Sequence, residues 1–204
     1  MLQTRTVEPR TLELLKQLML MPELDSFFLV GGTALALQLG HRKSIDLDFF
    51  TPEPFNNSIL LDVLITDFDM SIELEELNML ITNIEGIKVD FIKMGYPILF
   101  STLLVEGVRM LDIRDIASMK LKAVAQRGSK KDFFDIYFIL QQLPLETIIA
   151  LFQQKFKLHE VFHIIKSLTY FEDAEQSANP VVFDKSVTWQ KVKMSIRESV
   201  KKLG

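Results

Sequence analysis

Two aspartates separated by one residue stand in a short segment that could hold a divalent cation. Asp46 and Asp48 belong to IDLDFF, in which acidic and apolar side chains alternate. Because side chains on a β-strand point alternately to its two faces, a strand here places both carboxylates on the same face. Adjacent carboxylates repel each other unless both are solvated or a cation lies between them. Oxygen ligands without cysteine or histidine suit Mg²⁺ or Mn²⁺.

A third acid, Asp90, lies in the apolar segment IKVDFIKM between Val89 and Phe91. An unpaired carboxylate in such a strand costs roughly several kcal/mol, so it needs a partner. If this strand neighbours IDLDFF, three carboxylates can hold two metal ions, one activating an attacking hydroxyl and one stabilising a leaving pyrophosphate. We therefore assign Asp46, Asp48 and Asp90 as metal ligands and catalytic residues, and expect Asp90 to accept the proton.

A glycine turn upstream of these acids could bind phosphate. Gly31-Gly32-Thr33 follows the apolar segment FFLV and precedes TALALQL. At the start of a helix, this turn offers backbone N–H groups, a hydroxyl and the positive end of the helix dipole. Its spacing matches neither GxxxxGK[ST] nor GxGxxG. We expect a different triphosphate-binding turn.

The elements that must position these residues follow from hydrophobic periodicity and turn residues. The pattern predicts helices at 10–21, 33–39, 56–65 and 112–126 and after Gly128, with strands at 27–30 and 45–50, a strand pair within 78–94 turning at Glu85-Gly86 and a hairpin within 102–111 turning at Glu106-Gly107. These elements predict an α+β protein with a mixed sheet in residues 1–111 and a helical lobe in residues 112–204. A cleft between the two lobes is the expected ligand site.

Composition narrows the function classes. The 204 residues contain no cysteine, which excludes disulfides, thiolate zinc sites and cysteine nucleophiles. A formal charge of −4 argues against a broad basic surface for duplex nucleic acid. No apolar run approaches the ~20 residues needed to span a bilayer, and the N-terminus has no signal-peptide pattern. We expect a cytoplasmic protein that does not contact a membrane.

Two segments resemble a known family. LVGGTALALQLGHRKSIDLDFF resembles the nucleotidyltransferase superfamily related to DNA polymerase β, in which a glycine turn precedes D-x-D on the next strand. Its extended form, with His41, Arg42 and Ser44 before Asp46, is similar to the AbiEii/AbiGii toxin family. DIASMKLKAVAQRGSKKDFFDIYFIL is similar to that family's second signature, whose positions here are Lys120, Arg127, Lys131, Asp132 and Asp135.

The resemblance implies a polymerase-β-like nucleotidyltransferase lobe followed by a helical lobe. It implies transfer of a nucleotide from an NTP to an acceptor hydroxyl with Mg²⁺ or Mn²⁺, and Lys120 joins the three acids as a catalytic residue. Family toxins transfer nucleotides to tRNA ends and are neutralised by an antitoxin, so both are expected partners. The implied nucleotide-binding residues are Gly31, Gly32, Thr33, Arg42, Ser44, Lys120, Arg127, Lys131, Asp132 and Asp135.

The residues themselves support part of this assignment. Lys120 and Arg127 are about two helical turns apart, share a helix face and could neutralise phosphate charge. For Asp132 and Asp135, ion pairing with Lys131 or Arg127 is an equal alternative to nucleotide binding.

Other functions remain open at this stage. HEVFH (159–163) fits the zinc-hydrolase pattern H-E-x-x-H but lacks an evident third ligand. The same fold could instead transfer a nucleotide or phosphate to a protein hydroxyl, or bind a nucleotide without turnover. A basic helix predicted at 188–203 could meet RNA or an acidic partner, although such runs are more often solvated helix faces.

Overall fold

A seven-stranded mixed sheet forms the first half of the chain in the computed structural model, which describes residues 1–203. The strand order is β3-β4-β5-β2-β1-β7-β6, with β2 parallel to β5 and β1 parallel to β7. The strands are β1 (Phe28–Leu29), β2 (Leu47–Thr51), β3 (Met70–Glu76), β4 (Met79–Ile84), β5 (Ile87–Lys93), β6 (Leu103–Val105) and β7 (Val108–Met110).

Helices cover the sheet and make up the second half of the chain. They are α1 (Pro9–Met19), α2 (Gly31–Leu39), α3 (Asn57–Asp67), α4 (Ile113–Gln126), α5 (Lys130–Ile139), α6 (Leu145–Phe156), α7 (Phe162–Ser167), α8 (Glu172–Glu175) and α9 (Trp189–Lys201). Helix α4 packs against α5 and α6, and α2 packs against both α4 and α5. Within residues 1–203, none of these helices has the length and hydropathy to cross a bilayer.

The pairing of β2 with β5 fixes the direction of the acidic side chains. Leu47 and Phe49 lie opposite Val89 and Phe91, and all four are fully buried. The rings of Phe49 and Phe91 stack with centroids 5.5 Å apart. Because side chains alternate along each strand, burial of this apolar row turns the intervening acidic residues to the opposite face.

The α+β fold with a mixed sheet is confirmed, and most predicted elements are present. Strand β2 begins at Leu47, so Asp46 precedes the strand instead of lying within it. The edge strand β3 was not predicted, because its side chains are largely exposed and give no alternation of apolar and polar residues.

The division into two lobes coincides with the change from sheet to helix. The side chain of Asp112 caps α4 by accepting a hydrogen bond from the backbone N–H of Arg114. Buried residues from both halves nevertheless form one continuous hydrophobic cluster. The boundary between residues 111 and 112 therefore stays a prediction.

Candidate active site

Two of the three predicted acids lie side by side on adjacent central strands of the sheet. Asp48 on β2 lies directly opposite Asp90 on β5 in the parallel register. Burial raises the pKa of Asp48 to about 6, and the negative charge of Asp90 adds to this increase. Burial also raises the pKa of Asp90, although the nearby Lys88 ammonium opposes the shift. Both carboxylates therefore gain from a bound cation or a proton.

The hydrogen bonding of Asp90 fits a hard cation. Its Oδ2 lies 3.3 Å from Lys88 Nζ, whereas its Oδ1 is buried and has no hydrogen-bond partner. A buried carboxylate oxygen without a donor is costly, and a divalent cation would satisfy it. Carboxylate oxygens from Asp48 and Asp90 are the ligand type that Mg²⁺ and Mn²⁺ prefer.

Asp46 contacts Lys131, and its negative charge contributes to the raised pKa of both Asp48 and Asp90. Its Oδ2 lies 3.4 Å from Lys131 Nζ, and its side chain is 36% exposed. Across residues 1–203, no three acidic or histidine side chains converge into a preformed metal cage. The role of Asp46 as a metal ligand therefore stays a prediction.

The glycine turn brings the start of α2 against Asp48. Gly31 has φ +67°, and a Cβ added there would lie 2.0 Å from Asp48 Oδ2. A Cβ on Gly32 would lie 2.5 Å from an Arg42 guanidinium nitrogen. Gly31 therefore provides both the left-handed backbone and the space that Asp48 occupies, while Gly32 lets the Arg42 guanidinium approach.

Thr33 and Ser44 connect the glycine turn to the segment before β2. The buried Thr33 hydroxyl donates to the backbone carbonyl of Asp46 and lies 2.9 Å from Ser44 Oγ. These contacts fix the position of Asp46. The expected contact of the Thr33 hydroxyl with phosphate finds no support here, because the hydroxyl is buried and already donates its proton within the protein.

Asp135 lies at the centre of a buried cluster of cations. It accepts hydrogen bonds from Arg42 at 2.7 and 2.8 Å and lies 2.6 Å from Lys120 Nζ and 2.8 Å from His41 Nε2. Burial alone would raise the pKa of Asp135, but Arg42 and Lys120 outweigh it and hold the pKa well below its usual range. This carboxylate thus joins the segment before β2 to α4 and α5.

Asp132, one helical turn earlier, joins α5 to α4 and to the turn between them. It accepts two hydrogen bonds of 2.8 Å from Arg127 and one of 2.6 Å from Ser129 Oγ, and lies 3.2 Å from Lys120 Nζ. Lys120 is therefore fixed between Asp132 and Asp135. Both aspartates are fully buried and neither lines the cleft. Of the two ion-pair partners considered from sequence, Arg127 is found on Asp132, whereas Lys131 contacts Asp46.

A cleft of about 950 Å³ lies over Asp48, between the sheet and helices α4 and α6. Gly31, Asp48, Lys120 and Arg127 line it, so predicted residues from both halves of the chain meet there. The Arg127 side chain is 57% exposed even though Asp132 holds its guanidinium. The cleft therefore combines the Asp48 carboxylate on the sheet with cations on α4 and at its C-terminal end.

Residues that were not predicted from the sequence fix another wall of this cleft. Lys155 is fully buried, with its Nζ 2.5 Å from Asp115 Oδ1 and 2.8 Å from the carbonyl of Pro97. Asp115 also accepts hydrogen bonds of 3.0 Å from the backbone N–H groups of Leu99 and Phe100. This pair holds the segment 97–100 against α4 and α6. A lysine on the apolar side of an amphipathic helix was the available signal.

The zinc-hydrolase pattern does not form a metal site. His159 and Glu160 precede α7, which begins at Phe162, so His159 and His163 do not lie on one continuous helix. Within residues 1–203, no group of three histidine or acidic side chains around these histidines could hold a metal ion. The H-E-x-x-H reading is therefore wrong.

Comparisons with known proteins agree with this geometry. The chain matches the family described as nucleotidyl transferase AbiEii toxin, type IV TA system, over residues 13–99 and 84–202. It is 35% identical to an uncharacterized protein of Aquifex aeolicus (strain VF5), with 87% of each chain covered.

Two solved structures share the fold. JHP933 from Helicobacter pylori aligns with a TM-score of 0.52 at 21% identity, covering 97% of this chain and 94% of that one. MenT4, a nucleotidyltransferase toxin from Mycobacterium tuberculosis H37Rv, aligns with a TM-score of 0.55 at 15% identity, covering 99% of this chain and 89% of that one. At these levels of sequence identity, the two alignments show a shared fold.

Proposed function

Because the chain belongs to the AbiEii family of nucleotidyltransferase toxins, we propose that it moves a nucleotide from an NTP to a hydroxyl of tRNA with Mg²⁺ or Mn²⁺. The observation that carries this proposal is the pairing of Asp48 with Asp90, in which Asp48 lies against the glycine turn and lines a cleft together with Lys120 and Arg127. Carboxylates for a metal and fixed cations for phosphate are the two parts that this chemistry requires.

Asp48 and Asp90 would hold the metal ion. When bound, the ion would neutralise phosphate charge and lower the pKa of the attacking hydroxyl. The partner-free Oδ1 of Asp90 supports its role as a metal ligand, and the raised pKa of its carboxyl supports its assignment as the proton acceptor. Asp46 extends this acidic site if its contact with Lys131 opens.

The triphosphate would be bound by cations whose positions are already fixed. Lys120 is held by two buried carboxylates, and Arg127 is held by a bidentate contact that leaves much of its side chain exposed. Cations fixed before the substrate arrives need little reorganisation during the reaction. The backbone N–H groups at the start of α2 and the Lys131 ammonium would add to this phosphate site.

The charge distribution supports a polyanionic acceptor. Lys93, Lys122 and Lys157 line the same cleft as Lys120 and Arg127. Although the net charge is −4, the cleft therefore offers a local cationic surface to an RNA end. The family also implies an antitoxin partner.

The test is incubation of the protein with each labelled NTP, Mg²⁺, total RNA and total protein. We expect label in the tRNA fraction, and we expect Asp48→Asn to abolish it while Asp62→Asn, a matched change on exposed α3, retains it. Label in protein alone would refute the tRNA acceptor, and it would support transfer to a protein hydroxyl. Equal labelling by the Asp48→Asn variant would refute the proposed site.

A further inference from the structure

The segment that contains α3 and β3 carries only negative charge. Residues 44–87 contain ten acidic residues and no lysine, arginine or histidine. Six of these acids lie outside the candidate site on α3, on β3 and on the loop between them, and all six are exposed. We call this surface the acidic face; its acidic residues are Asp62, Asp67, Asp69, Glu73, Glu75 and Glu76.

Large apolar side chains are exposed among these acids. On α3, Ile59 is 58% exposed and Ile65 is 60% exposed, while on β3 Ile72 is 45% exposed and Leu74 is 44% exposed. Leu77, directly after β3, is 91% exposed. A concentration of exposed apolar side chains within one helix and its neighbouring strand is typical of a protein-binding surface.

The strand on this face can accept another strand. β3 is at the edge of the sheet and pairs only with β4, so the main-chain N–H and C=O groups on its outer side have no strand partner. β3 spans seven residues, with a shift of its register against β4 between Ile72 and Leu74, and an edge strand can be extended by a partner strand. A groove of about 680 Å³ at the end of this strand, lined by Phe55 and Leu77 among others, could take an apolar side chain of that partner.

The negative charge of the acidic face favours a basic partner strand over a second copy of β3. Pairing of β3 with β3 of a second copy would bring glutamates close to glutamates, which is destabilising. A strand that alternates lysine or arginine with apolar residues would meet both the carboxylates and the exposed isoleucines and leucines. We infer that the acidic face binds a basic protein segment by strand addition to β3. This surface uses no residue of the candidate active site and goes beyond the proposed function.

A defined probe tests this inference. A fluorescently labelled eight-residue peptide of alternating lysine and valine would be titrated into the whole protein. Hydrogen exchange of Met70–Glu76 would be monitored by mass spectrometry. The controls are a glutamate–valine peptide and a lysine–valine peptide with a central proline, which keeps the charge but disrupts strand pairing. The variant Glu73→Lys/Glu76→Lys reverses charge on β3, and its circular dichroism checks the fold.

We expect the lysine–valine peptide to bind and to slow exchange in β3. The proline peptide and the charge-reversed variant should each weaken binding by roughly tenfold or more, and the acidic peptide should not bind. Equal binding of the proline peptide, or exchange protection elsewhere, would overturn strand addition. A dimer joined through β3 in sedimentation experiments would overturn the assignment of a basic partner.

Discussion

Asp135→Asn removes the charge at the centre of the buried network and changes little else in size. In the wild-type protein this carboxylate contacts Arg42, Lys120 and His41, and its side chain is fully buried. An asparagine offers one carbonyl oxygen, while its amide group places donors against donors. Removing one partner of a buried ion pair costs about 3–5 kcal/mol, because the remaining charges are left buried without compensation. We expect a loss of this size in the free energy of unfolding.

Urea unfolding at pH 7, followed by circular dichroism, measures this loss. Glu8→Gln is the control, because Glu8 pairs with Lys43 on the surface, where both side chains are about half exposed. Exposed pairs contribute roughly 0.2–1 kcal/mol, so the control should barely move the midpoint. If Asp135→Asn lowers the free energy of unfolding by less than about 1 kcal/mol, with an unchanged slope of that free energy against urea concentration, the network does not hold the two halves together.

The pH dependence of stability follows from the same residues. The pKa of Asp135 and that of Asp132 are lowered by neighbouring cations, so their stabilisation is complete above the unfolded pKa of about 4 and is lost as the pH falls below it. The pKa of His41 is lowered by burial, which makes folding less favourable below about pH 6.5, whereas the raised pKa of Asp48, about 6, has the opposite effect in the same range. Urea midpoints measured from pH 8 to pH 3 should therefore fall most clearly below about pH 4, and Asp135→Asn should flatten that fall. A constant midpoint would contradict this assignment.

The remaining predictions concern the turn, the cleft wall and the histidines. Gly31→Ala and Gly86→Ala both place a side chain at positive φ, but only the methyl group at position 31 would clash with Asp48. Nucleotide transfer should therefore fall by roughly tenfold or more only in Gly31→Ala. Equal losses in the two variants would refute the steric argument. Lys155→Met leaves the Asp115 carboxylate buried without its cation and should lower the free energy of unfolding, measured in urea, by about 3–5 kcal/mol. The double variant Lys155→Met/Asp115→Leu should recover part of this loss. No recovery would contradict the ion-pair explanation. His159→Ala should keep wild-type nucleotide transfer, and loss of activity would reopen a role for this histidine.

Local patterns predicted the elements near the site because those segments are buried on one side. The alternation in IKVDFIKM and the turn at Glu85-Gly86 correspond directly to β5 and its hairpin, since burial of Val89 and Phe91 requires that pattern. Strand β3 could not be found in this way, because an exposed edge strand has no buried face to produce an alternation.

Long-range ion pairs were beyond the reach of spacing arguments. The contact of Arg42 with Asp135 joins residues that lie 93 positions apart, and a helical pattern around Asp135 gives no information about Arg42. Spacing did place Lys120 and Arg127 on one helix face. It could not show that Asp132 holds both, because that arrangement depends on the packing of α4 against α5.

The network also determines what Lys120 can contribute to nucleotide transfer. Its ammonium lies between two buried carboxylates, at 3.2 Å from Asp132 and 2.6 Å from Asp135, while its side chain reaches the cleft. A lysine held by two buried anions provides positive charge at a fixed position in the site. We propose that the proton of the attacking hydroxyl goes instead to the sheet, where burial raises the pKa of Asp90. In this proposal the helices provide positive charge and the sheet accepts the proton, which divides the two tasks between the two halves of the chain.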